Sequence, residues 1–85
     1  FSLCQNYPNP VSQTAEIKFS LPASAHATLR VYDASGRLVQ TLAEGKLGAG
    51  LHTALWNTNG AASGIYFYRL SHGSSSATRK MLVLK

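Results

Sequence analysis

From Thr14 to Leu21 the chain alternates with a period of two. Ala15, Ile17, Phe19 and Leu21 are apolar, and Glu16, Lys18 and Ser20 between them are polar. Successive side chains of a strand point to opposite faces, so this segment predicts a strand with one face on a core and the other in water. Pro22 removes an amide donor and fixes φ, so the ladder should stop there and the chain should turn through Ala23 to Ala25. The same period returns where Ala27, Leu29 and Val31 alternate with Thr28, Arg30 and Tyr32.

A turn at Asp33, Ala34, Ser35 and Gly36 closes that strand. An Asp carboxylate accepts a hydrogen bond from an amide two residues on, and Gly36 can take a positive φ, so an antiparallel hairpin into Arg37 to Leu42 is predicted. Glu44 to Gly50 holds three glycines in seven residues and predicts a mobile loop before a strand over Leu51 to Trp56. After a turn at Asn57 to Gly60 and a bend through Ala61 to Gly64, Gly64 opens the run Ile65 to Leu70, apolar and aromatic on both faces. Such a strand belongs in the middle of a sheet. His72, Gly73 and three serines predict a flexible turn, Ala77 to Lys85 a last strand, and Ser2 to Tyr7 an edge strand ended by Pro8 and Pro10. About seven short strands at roughly twelve-residue spacing, with no helical stretch, predict an all-β antiparallel sandwich.

The length of 85 residues allows one domain, spanning residues 1–85. Apolar residues at 45% against 13% charged supply a core and exclude a disordered, solvated segment. Uninterrupted apolar runs reach only four residues, as in Met81 to Leu84, so no membrane-spanning helix is expected. The net charge of +5 suggests anionic partners, but Lys18, Arg30, Arg37, Lys46 and Arg69 are scattered singly, and only Arg79, Lys80 and Lys85 gather. No basic run interleaves with aromatics as single-strand nucleic-acid binders require, so no nucleic-acid partner is expected. A solvated basic surface remains, one that can meet anionic lipopolysaccharide or a cell-surface polymer.

Candidate chemistry is sparse. Cys4 is the single cysteine, which excludes an internal disulfide and a CxxC site. His26, His52 and His72 lie on different elements without metal-ligand spacing, and Glu16, Asp33 and Glu44 are too few and dispersed for a carboxylate pair or a calcium cage. Neither GxGxxG nor GxSxG occurs. No catalytic residue, cofactor or metal is therefore expected. Trp56 and Tyr66 invite a sugar-stacking platform, but in so small a sandwich they are expected as a core anchor and a corner tyrosine.

Six segments in order carry a family resemblance. They are Gln5-Asn6-Tyr7-Pro8-Asn9-Pro10; Ile17 to Pro22; Val31-Tyr32-Asp33 with Gly36-Arg37; Gly50-Leu51-His52 through Trp56-Asn57; Gly64 to Leu70; and Thr78-Arg79-Lys80-Met81. Together they resemble the C-terminal sorting domains, type A, of the type IX (Por) secretion system. The chain is similar also to the immunoglobulin-like domain of flagellar hook-capping proteins, which share the Val-Tyr-Asp, Gly-Arg and Gly-Xaa-Tyr elements. The resemblance implies an immunoglobulin-like sandwich without catalysis, at the end of a larger secreted protein of the Bacteroidetes or related phyla. It implies that the domain directs a covalently attached N-terminal cargo through the periplasm and across the outer membrane, to the cell surface or the medium. Its implied partners are the outer-membrane translocon and shuttle components, and a surface sortase-like peptidase that removes the domain or exchanges it for surface attachment. The sorting determinants carried over are Gly64 and Tyr66, with Lys80, Met81, Leu82, Val83, Leu84 and Lys85; Pro8, Asn9 and Pro10 match the family's opening motif.

A basic, apolar last strand offers free backbone groups for strand addition by a translocon or shuttle, and that is the expected mode of recognition. Cys4 departs from the acidic or polar residue usual in the family, and the acidic content is low for it. Because the family elements start close to Phe1, the chain is expected to be a module excised from a longer protein. The competing expectation is a cell-attachment or carbohydrate-binding sandwich of a secreted glycoside hydrolase, with Trp56 and Tyr66 to Tyr68 as its platform. A hook-cap assembly domain would need a preceding scaffold segment.

Overall fold

The computed structural model describes residues 1–85. Its strands are β1 (Ser2–Leu3), β2 (Thr14–Leu21), β3 (Ala25–Asp33), β4 (Leu38–Leu47), β5 (Gly50–Asn57), β6 (Gly64–His72) and β7 (Ser75–Val83). They form two antiparallel sheets, one of three strands in the order β1-β2-β5 and one of four in the order β4-β3-β6-β7. The all-β sandwich read from the alternation is the fold observed. No helix long and apolar enough to cross a membrane is present.

The period of two sets the core directly. Ala15, Ile17, Phe19 and Leu21 of β2 face Ala27, Leu29 and Val31 of β3, joined by Tyr66, Tyr68 and Leu70 of β6 and Met81 and Val83 of β7. Trp56 and Tyr68 are the largest of the fully enclosed side chains. β6 lies between β3 and β7, as its apolar composition predicts. Only one of its faces is in the core, however, because Ile65 and Phe67 point to the outer side of the four-stranded sheet.

The turn at Asp33 forms as expected. Its Oδ1 accepts from the Ser35 amide and the Arg37 amide, both at 3.0 Å, and Gly36 takes φ +90°. The Ser35 hydroxyl, foremost, and the Arg37 amide hold the Asp33 carboxyl below the usual carboxylate range.

Several boundaries differ from expectation. Glu44 to Gly50 is not a mobile loop: β4 runs on to Leu47, paired through Gly45↔Ala27 and Leu47↔Ala25, and only Gly48 and Ala49 lie between β4 and β5. Glycine content signals a break, but the exposed start of β3 offered a partner ladder, and pairing overrode propensity. The glycine-rich stretch pairs in continuous register, and the two register shifts of β4 against β3 lie elsewhere, between Leu29 and Arg30 and between Val31 and Tyr32. The serines after Gly73 likewise enter β7 from Ser75, paired with His72 across a tight hairpin, and β7 ends at Val83 instead of Lys85. At the N-terminus, the continuous ladder ends at Leu3, and the remainder of the expected edge strand stays against β2 through the Cys4 amide and an isolated antiparallel bridge between Tyr7 and Glu16.

Candidate functional site

The two ends of the chain meet along the β7 edge. From β1 the chain stays against β2, where the Cys4 amide donates to the Lys18 carbonyl and Tyr7 exchanges two backbone bonds with Glu16. It then crosses to the four-stranded sheet, and Val11 forms a parallel bridge with Val83. The Val11 amide donates to the Leu82 carbonyl and the Leu84 amide donates to the Val11 carbonyl, each at 2.9 Å. Side chains complete the seam: the Leu82 amide donates to Asn9 Oδ1 at 3.1 Å, and Gln5 Nε2 donates to the Lys80 carbonyl at 2.8 Å. From the opposite direction, Arg79 Nε donates to the Leu3 carbonyl at 2.8 Å.

This seam changes the premise of the expected strand addition, that the backbone groups of the last strand are free. β7 is an edge strand, but the outward amides and carbonyls between Lys80 and Leu84 are largely taken by Gln5, Asn9 and Val11. A flat row of unpaired groups would be a template for an added strand, and here the chain's own N-terminal segment fills it. The outward-facing residues without such a cover are Ser76 and Thr78, nearer the start of the strand.

The segment is fixed from below as well. Val11 is fully buried, and Asn6 is buried with its Nδ2 donating to the Pro8 carbonyl at 2.8 Å. The peptide bonds preceding Pro8 and Pro10 are cis. Tyr68, 0% exposed, donates its hydroxyl to the Cys4 carbonyl at 2.7 Å, and burial pushes its phenol up to about 12. Cys4 itself has an exposed, free thiol.

The residues carried over from the resemblance fall into two groups. Met81 and Val83 are core side chains, and Leu82 is half-buried. Tyr66, 8% exposed, packs edge-on against Trp56 with ring centroids 5.3 Å apart, and its hydroxyl donates to the Ala62 carbonyl at 2.7 Å. That bond back to the backbone four residues upstream is the geometry of a corner tyrosine. Gly64 has φ +153°, a conformation that side chains rarely adopt, although a Cβ there would meet nothing within 4 Å. Lys80, Leu84 and Lys85 instead reach solvent, Leu84 at 52%. The Lys85 amide donates to Ser63 Oγ and its Nζ to the Thr58 carbonyl, tying the tail to the loop before β6. Pro8, Asn9 and Pro10 are exposed on the N-terminal segment.

Of the rings expected in a sugar platform, Trp56, Tyr66 and Tyr68 are in the core and offer no face to stack on, while Phe67 is half-buried on the outer face of the four-stranded sheet. No group of three His, Cys, Asp or Glu side chains converges. Sequence reasoning missed the roles of Gln5 and Val11. The available signal was a buried-type valine just after a proline pair, too short to show a period.

Compared with known protein families, the model for the secretion system C-terminal sorting domain matches residues 5–84. No curated protein matches the chain.

Proposed function

The chain belongs to the family of secretion system C-terminal sorting domains, and on that premise we propose that it carries an N-terminally attached cargo across the outer membrane through the type IX system. The family is a sorting-signal family, and its signal implies export toward the cell surface or the extracellular space. In the proposed route the domain acts without catalysis: shuttle and translocon components read it from the periplasm, and a surface sortase-like peptidase then removes it or exchanges it for surface attachment. The observation that carries the reading is the family match over residues 5–84, which takes in both the N-terminal segment and β7.

The geometry supports a folded signal over a linear one. Of the carried-over determinants, Gly64, Tyr66, Met81 and Val83 act by shaping the domain, while Lys80, Leu84 and Lys85, with Pro8 to Pro10, present the surface that is read. Side chains standing on a closed edge, instead of a vacant backbone ladder, are the proposed contact.

The test fuses residues 1–85 behind a signal peptide and a reporter, in a host with an intact type IX system and in one lacking the translocon. Reporter at the surface only of the intact host is the expected result; a folded fusion retained in the periplasm of both would refute the role. Lys80→Glu with Leu84→Glu should retain the reporter inside while the domain stays folded. Truncation before Lys80 is uninformative, because it removes Met81 and Val83 from the core.

A further inference from the structure

Each carboxylate side chain is already paired with one cation: Glu16 with Lys18 at 3.6 Å, Asp33 with Arg37 at 3.4 Å, and Glu44 with Arg30 at 3.5 Å. Among the remaining cations, Arg79 and Lys85 are committed to the backbone carbonyls of Leu3 and Thr58. Lys46, Arg69 and Lys80 have no carboxylate partner. All three stand on the outer face of the four-stranded sheet.

The register fixes that placement. Ala27, Leu29 and Val31 face the core, so His26, Thr28, Arg30 and Tyr32 face out, and cross-strand partners share their face. One row across the face reads Leu38, Tyr32, Phe67, Lys80; the next reads Thr41, Arg30, Arg69, Thr78. A third reads Glu44, Thr28, Ser71, Ser76, and Lys46 lies beyond it, opposite His26. Arg30 and Arg69 are thus directly opposite one another, an arrangement that costs stability unless a counter-charge is supplied. Glu44 supplies one; Arg69 has only the Ser76 hydroxyl, at 3.4 Å. A shallow concavity lined by Tyr32, Phe67, Arg69 and Thr78 lies where the aromatic and arginine rows meet.

We propose that this face binds an anionic polysaccharide. Sulfate, phosphate or carboxylate groups of the polymer sit on the Arg30–Arg69 pair and on Lys80, and a sugar ring lies on the ledge made by Tyr32 and Phe67. The hydroxyls of Thr28, Ser71, Thr78 and Ser76 both donate and accept, as recognition of sugar hydroxyls requires. Tyr32 and Phe67 are half-buried neighbours at one strand spacing, so they form a single ledge and not the succession of stacking platforms that a run of bases uses. The binding face stands on register and charge pairing and does not depend on the sorting role.

The test titrates isotope-labelled residues 1–85 with a heparin hexasaccharide, an uncharged dextran oligosaccharide and a six-nucleotide oligothymidylate, following backbone amide shifts. The hexasaccharide should move amides of β3, β6 and β7 around Arg30, Arg69 and Thr78, with affinity falling as salt rises; the dextran should not bind measurably. Arg69→Gln should weaken hexasaccharide binding by about tenfold. The same substitution should leave the folded state as stable or more so, because it removes the like-charge pair. Lys18→Gln takes the same charge from the other sheet and should change binding by less than about twofold. Equal losses in the two variants, shifts centred elsewhere, no binding, or tighter binding of the oligothymidylate would each overturn the assignment.

Discussion

The Leu82 amide, at the end of the last strand, donates to the side-chain oxygen of Asn9, 73 residues earlier in the chain, at 3.1 Å. With the Val11–Val83 bridge it makes the N-terminal segment part of the same edge as the C-terminal tail. Asn9→Ala should cost about 0.5–1.5 kcal/mol, the ordinary loss for one hydrogen bond at an accessible edge, read as a shift of the urea midpoint. Val11→Ala, which empties a fully buried site, should cost roughly 2 kcal/mol or more. If Val11→Ala were silent, the segment would not be part of the folded unit.

Trp56 is 2% exposed and holds Tyr66 edge-on. Trp56→Ala should cost about 3–5 kcal/mol, enough to unfold most of a domain this small, with loss of the β signal in circular dichroism. Survival of the fold would remove Trp56 from its place as core anchor.

Tyr68 gives a pH dependence of known sign. Its phenol is held at about 12 in the folded chain against about 10 in an unfolded one. The native state therefore keeps the proton more tightly, and the stabilisation is complete below pH 10 and disappears as pH rises toward 12. The shift corresponds to roughly 2–3 kcal/mol. Urea midpoints at pH 9 and above pH 11 should diverge in the parent chain and converge in Tyr68→Phe, which also loses the bond to the Cys4 carbonyl.

Gly64→Ala isolates conformation from contact, since a Cβ there meets nothing yet φ is +153°. About 1–2 kcal/mol of destabilisation is expected from the backbone alone, with export of a fused reporter retained in so far as the domain stays folded. Loss of export from a variant as stable as the parent would make Gly64 a contact residue instead.

Much of the fold was legible in the sequence, because a half-buried strand writes its two faces into alternate positions: β2 is there in full, and β3 from Ala27 to Tyr32. So is the Asp33 turn, whose chemistry is local. Glu44 to Leu47 was not legible, because whether a glycine-rich segment pairs depends on a partner, here Ala25 to Thr28, that no local window contains. The same limit hid both surfaces of interest. Arg30 and Arg69 are solitary in the chain and become neighbours only through the β3–β6 register. Asn9 and Leu82 come together only once both sheets exist. The tail motif of Lys80 to Lys85 was visible, but its division into core and surface side chains followed from the strand's position at an occupied edge.

The parallel course of Val11 and Val83 also sets how the domain responds to tension. A load applied between the N-terminus and the C-terminal tail draws the N-terminal segment and β7 past one another along their common axis. Their bonds, Val11 to Leu82 and Leu84 to Val11, then bear force together in shear instead of opening one after another like a zipper. The edge at which the chain's two ends meet is thus a mechanical clasp, one that resists a pull along the chain and yields more readily to a pull across it.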